Sequence, residues 1–197
     1  MIMKRTITWL TVLIINIVSM PTLSSAAHHP RVVAVPSNGC VVTGKVPAGV
    51  NPNNAVVYLE GVPFTGRPAP MHKEMDQKNL QFIPHVLAIT VGSQVTFLNS
   101  DTVNHNVFGV GADMFDLGTW PPGRKRTKTF SRPGEVAILC NVHPEMSAYI
   151  LVLKHPYFAQ PDALGRYKIA GVPPGTYTLV IYQPERKPIK KKIQVGC

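Results

Sequence analysis

The chain has 197 residues, of which 45% are apolar and only 15% charged, and a formal net charge of +10. That is apolar enough to build a core and excludes a disordered chain. With 19 prolines and 15 glycines spread along its length, it also excludes a helical bundle, because proline removes a backbone donor and clashes inside helices.

In chain order, the first element is an address. Lys4 and Arg5 precede a mostly apolar run over residues 8–20, then Ser24, Ser25, Ala26 and Ala27. The run is too short for a membrane span, which needs about 20 residues. Residues 1–26 read as a secretory signal peptide cut after Ala26 or Ala27. The alternative is a retained anchor. Export places the protein in the periplasm or outside the cell, with no membrane insertion after cleavage. Lys4 and Arg5 are the only charges before residue 27, so residues 27–197 carry 18 basic against 10 acidic residues, a net +8. The basic residues gather at Arg124, Lys125, Arg126 and Lys128 and again at Arg186, Lys187, Lys190, Lys191 and Lys192. Export disfavours nucleic acid. An acidic protein partner fits such charge, and so do plain solvated strand faces.

Residues 40–48 and 55–60 read as strands, residues 61–80 as a loop, and residues 86–97 as two strand pieces about Gly92. Residues 103–108 and 128–140 follow, the latter broken by Pro133-Gly134. Residues 147–153 form a strongly apolar strand, and residues 166–170, 176–182 and 187–195 are three more. Short strands with turn signals between them are the pattern of β-sandwiches.

Three cysteines remain in an oxidising compartment, so one thiol has another task. Cys40 and Cys197 open and close the expected fold, and a disulfide between them is the natural pairing. Cys140 lies in Cys140-Asn141-Val142-His143-Pro144-Glu145-Met146, a short loop between two strands, with His105 upstream in Asn104-His105-Asn106. A thiolate, two imidazoles and a weak thioether are the ligand set of a mononuclear blue-copper site. Zinc would not ordinarily take the methionine. A nucleophilic Cys140 with a histidine base is the other chemistry those residues allow, but no oxyanion device accompanies it.

The Cys140-x-x-His143-x-x-Met146 loop with His105 resembles the cupredoxin family, most closely its amicyanin-type members. The wider run over residues 75–157 resembles the plastocyanin-like proteins labelled methylamine utilisation proteins. The resemblance implies a Greek-key β-sandwich, one type 1 copper ion and one-electron transfer rather than enzymatic turnover. It implies His105, Cys140, His143 and Met146 as ligands, His143 as the exposed histidine through which electrons pass, and Asn106 as the residue tying the ligand loops together. Its partner would be a redox protein, transient in docking and acidic in charge. Copper storage or delivery through the same ligands is the alternative, aided by His28 and His29 at the exported N-terminus. His72 with Met71 and Met75 is a lesser attractor.

Residues 162–169 and 172–179 (DALGRYKI, VPPGTYTL) resemble the carboxypeptidase regulatory-like, transthyretin-like β-module, and residues 42–61 look like its opening strands. The expected layout is a split module, 38–63 and 160–197, with the cupredoxin over 64–157 inserted. The rival is one continuous cupredoxin that borrows strand 55–60, followed by a β-appendage. No peptidase chemistry is implied.

Overall fold

The computed structural model describes residues 39–197 together with the short strand β1 (Val32–Val33). The expected signal peptide, His28 and His29 lie outside the described residues.

The protein is all-β. After β1 come β2 (Cys40–Lys45), a 3-10 turn (Pro52–Asn54), β3 (Val56–Glu60), β4 (Arg67–Pro68), β5 (His72–Lys78), β6 (Gln81–Ile83), β7 (Val86–Thr90) and β8 (Gln94–Leu98). Then follow β9 (His105–Gly111), β10 (Phe115–Trp120), β11 (Lys125–Thr129), β12 (Gly134–Leu139), β13 (Ser147–Leu153), β14 (Phe158–Ala159), β15 (Arg166–Val172), β16 (Gly175–Tyr182) and β17 (Ile189–Val195).

Four sheets carry the architecture, in strand orders β11-β8-β5-β6, β10-β9-β12-β13-β7, β14-β3-β16-β17 and β15-β2. They stack in that order, because alternate residues of a strand face opposite sides and each inner sheet feeds two apolar layers. The first two sheets form a central sandwich whose core holds Met75, Phe97, Phe130, Val136, Ile138 and Ile150. The last two form a terminal sandwich around Val57, Leu59, Ile169, Tyr177, Leu179 and Ile181. Between the sandwiches lies a third layer of Val86, Ala88, Tyr149, Leu151 and Leu153 against Val56 and Tyr182.

β13 explains its own sequence. Ala148, Ile150 and Val152 point into the central core while Tyr149, Leu151 and Leu153 point into the layer between the sandwiches. A strand buried on both faces reads as a continuous apolar run instead of an alternation. β7 is buried throughout for the same reason. Its free edge is closed by Gln160, whose side chain donates to Val86 O at 3.1 Å and accepts from Ala88 N at 3.1 Å.

Two hydroxyls fasten the layer reciprocally. Tyr149 of the central sandwich donates to Glu185 Oε1 at 2.5 Å, and Tyr182 of the terminal one donates to Glu135 Oε2 at 2.7 Å. The hydrogen bond to Glu185, helped by burial, pushes the Tyr149 phenol up to about 12. Burial first and Glu135 second raise Tyr182 as well. Cys40 and Cys197 form the expected disulfide, joining the start of β2 to the residues just after β17, 157 positions apart.

The structure corrects three strand expectations. Residues 61–80 are not a loop throughout. They contain β4 and β5, and in β5 Met75 and Gln77 are buried while the other positions are exposed or half-buried. One of those inward residues is a glutamine, so the alternation does not read as apolar. Residues 128–140 are not one broken strand, because β11 pairs with β8 in one sheet and β12 with β9 and β13 in the other. β10, unassigned in the sequence, pairs with β9 through a register shift between Asp116 and Thr119 that hides its period.

Candidate metal centre

The ligand loop is set by strand pairing. β12 and β13 are antiparallel neighbours with Leu139 opposite Ser147, so residues 140–146 close a hairpin and stay at one end of the sheet. β9 lies on the other side of β12, and its first residue, His105, reaches the same end.

There the structure brings His105, Cys140 and His143 together, with Nδ1, Sγ and ring nitrogen atoms all within 4.8 Å of one another. His105 Nδ1 is 3.0 Å from His143 Nδ1 and 4.0 Å from Cys140 Sγ. His105, Cys140 and Met146 are buried, at 0%, 3% and 1% exposure, and His143 is half-buried. Met146 shares the central core with Cys140, and its amide donates to His143 O at 3.0 Å.

Hydrogen bonds prepare the donors. Asp101 Oδ2 lies 3.0 Å from His105 Nε2. A carboxylate only accepts, so Nε2 carries the proton and Nδ1 keeps its lone pair toward Cys140 and His143. Asp101 is held down at about 2 by the backbone N–H groups of Leu80 and Thr102, with His105 adding to them, so it stays ionised. Asn99 fastens the loop that carries it. Its Oδ1 accepts from Asp101 N, and its Nδ2 donates to Val103 O and Trp120 O. Asn106 N donates to Cys140 Sγ at 3.4 Å, which fixes where the sulfur points. The Asn106 side chain accepts from Asn141 N at 3.2 Å and donates to Asp116 Oδ1 at 2.9 Å. The Gly118 amide first, and Asn106 second, lower the Asp116 carboxyl. Asp101, Asn99 and Asp116 were not singled out in the sequence. The only signal was the four-residue step from Asp101 to His105.

The donor set fits a soft, four-ligand ion. The separations are those of donors that meet at one centre through bonds of about 2.0–2.3 Å, and a thiol, two imidazoles and a thioether suit copper in both oxidation states. The lesser attractor is taken apart by β5, which exposes His72 and buries Met75 in the core. Val142, beside His143, is 45% exposed, so the loop leaves an apolar surface at this end.

No family model and no curated protein matches the chain. Among the solved structures to which the chain is similar are the following, each at a TM-score of 0.39. A Cu-containing nitrite reductase (NirK) from Thermus scotoductus SA-01 is 27% identical over 48% of this chain. A purple cupredoxin from Nitrosopumilus maritimus is 21% identical over 41% of this chain and 99% of its own. An amicyanin from Paracoccus versutus is 22% identical over 42% of this chain and 81% of its own. The chain spans only 25% of the nitrite reductase. At these scores the likeness adds nothing to the strand order and donor geometry of this chain.

Proposed function

We propose that the protein is an exported blue-copper electron carrier, holding one type 1 copper through His105, Cys140, His143 and Met146 and catalysing no reaction of its own. One observation carries this reading: a buried thiol and two imidazoles converge at a sheet end, and the tautomer of one imidazole is set by Asp101. Copper would supply a one-electron couple there. The chain's part is to hold one geometry for both states, to keep water away from Cys140, and to hold its sulfur in place through the Asn106 amide. Pre-set donors keep reorganisation small. The partner is a redox protein with an acidic face, docking transiently over a small area. The residue reading of the signal peptide supports a periplasmic or secreted location. The terminal sandwich reads as a split carboxypeptidase regulatory-like module, 38–63 and 160–197, around a cupredoxin unit over 64–157.

The test is to add Cu(II) to the apoprotein and record visible absorption and EPR, with Cys140→Ser as control. An intense thiolate-to-copper band with narrow hyperfine splitting, absent in the control, is expected. A pale spectrum that survives the control would overturn the reading and point to copper handling elsewhere in the chain.

A further inference from the structure

The mechanism leaves one feature of the central sandwich unused. Trp120 ends β10 directly opposite His105. Residues directly opposite in an antiparallel pair share a face, with Cβ atoms about 5 Å apart, so Trp120 and the ligand His105 leave the sheet side by side. It is 3% exposed and packs in the core that also holds Cys140 and Met146. The Arg126 guanidinium lies over the ring, 5.4 Å from its centroid, and is tethered by a hydrogen bond to Leu117 O.

Trp120, Pro121, Gly123, Arg124, Lys125 and Arg126 also line a concavity of about 430 Å³. The three cations are exposed, and none is in an ion pair among the described residues. Lys128, by contrast, is bound to Asp113. The indole N–H is buried without a hydrogen-bond partner. A phenylalanine would be apolar too and leave no donor unpaired. What it would lose is the strongest aromatic face for a cation and the larger π-system beside His105.

Charge on β11 alone has a plainer explanation, since an exposed sheet edge is commonly blunted by lysine and arginine. That role needs no tryptophan beneath it and no concavity beside it.

We propose that this face, rather than the surface around His143, is where the acidic face of a one-electron redox protein docks, and that Trp120 and His105 form the electron's path to the copper. The proposal rests on the copper reading above. One electron leaves the reduced partner, which is oxidised, and converts Cu(II) to Cu(I). No bond forms or breaks and no proton moves. Opposite charge on the partner raises encounter rates and is screened by salt.

Hexacyanochromate(III), an inert paramagnetic anion, is the first probe, used with the apoprotein and its amide NMR spectrum. Salt-sensitive broadening over residues 119–126, lost in Arg124→Glu/Lys125→Glu, is expected. Broadening centred on β17 or on residues 141–144 would overturn the docking face. The copper-loaded chain then receives an electron from hexacyanoferrate(II). The same double variant is expected to slow this about tenfold, while Lys191→Glu/Lys192→Glu, with an identical change of net charge, does not. Trp120→Phe is expected to keep the broadening and slow the electron. Equal slowing by both charge variants, or full speed in Trp120→Phe, would overturn the route. A chain that gives the blue band but fails these arms refutes this face alone. A chain that gives no band refutes the copper reading, and the route with it.

Discussion

The two sandwiches use the same strand chemistry and differ in what they bury. Every buried polar or charged side chain among the described residues (Gln77, Thr90, Ser93, Asn99, His105, Asn106 and Asp113) belongs to the central sandwich. The terminal core is apolar apart from tyrosine hydroxyls such as that of Tyr177, which donates to Pro173 O and Pro174 O. Burying a polar group is costly unless it is hydrogen-bonded, so a fold carries such groups where they have a task. In the central sandwich Asn99 holds the loop that carries Asp101, and Asn106 braces Cys140; Thr90 and Ser93 bond each other and Gln77 donates to Leu98 O. The cysteines divide the same way. Cys140 stays a buried free thiol facing two imidazoles, while Cys40 and Cys197 are spent on a staple.

The staple gives the largest expected effect. Replacing Cys40 and Cys197 by Ser releases a loop of 157 residues. The loop-entropy view puts the loss at about 5 kcal/mol, or on the order of 10–20 °C in melting temperature for a chain this size. The ligand-field spectrum at room temperature should not change, because the bond lies in the other sandwich. A melting point that moves by only a degree or two would show that the terminal core alone holds that unit together.

Next comes a direct contrast of buried polar groups. Asn106→Ala leaves the Asn141 N–H without its acceptor and takes one of two donors from Asp116 Oδ1, the Gly118 amide remaining, and about 1–3 kcal/mol should be lost. The charge-transfer band should shift with it, because Asn106 braces the Cys140 loop. Tyr177→Phe removes a hydroxyl that only caps two carbonyls, for about 0.5–1.5 kcal/mol, with no spectral change. Chemical denaturation beside the visible spectrum distinguishes them. Equal spectra for both variants would erase the contrast.

The layer between the sandwiches can be cut next. Tyr149→Phe and Tyr182→Phe each remove one reciprocal bond to a carboxylate and should cost about 1.5–3 kcal/mol. Calorimetry of the native chain should show one transition, and the double variant should broaden or split it. A sharp single transition in the double variant would mean that the apolar contacts of Val56, Leu151 and their neighbours suffice.

The smallest effect is in acid. Burial alone would raise the Asp113 carboxyl, but the Ser131 amide and Lys128 outweigh it and hold it below its ordinary value. Asp162, on the exposed surface of the terminal sandwich, is lowered by the Arg166 amide and then its side chain. A folded-state pKa below the unfolded one supplies stability that is present above about pH 4 and drains away as pH falls through the folded value. Melting scans from neutral pH into acid should show Asp113→Asn flattening that fall more than Asp162→Asn. The reverse order would mean that burial of Asp113 does not strengthen its contacts.

Much of this contrast was legible in the residues themselves. Cys140, His143 and Met146 stand within one loop, so their chemistry is local. The apolar run of residues 147–153 marks a strand that must be covered on both faces. β5, β10 and β11 were hard to read for three separate reasons. A buried glutamine interrupts the period in β5, a register shift interrupts it in β10, and β11 is an edge strand exposed at every position but one.

Residue type and short-range spacing determined the all-β class, the loop donors and the division of the cysteines, because those depend on neighbours within a few positions. Long-range pairing decided the rest. The register of β9 against β12 carries His105 to Cys140, the loop after β8 places Asp101 on the back of His105, and β10 sets Trp120 beside it. The stacking of four sheets turns Tyr149 and Tyr182 into a reciprocal clasp. Such contacts join residues far apart in the chain, and the pairing of sheet edges and the burial of apolar faces select them only when the whole chain folds.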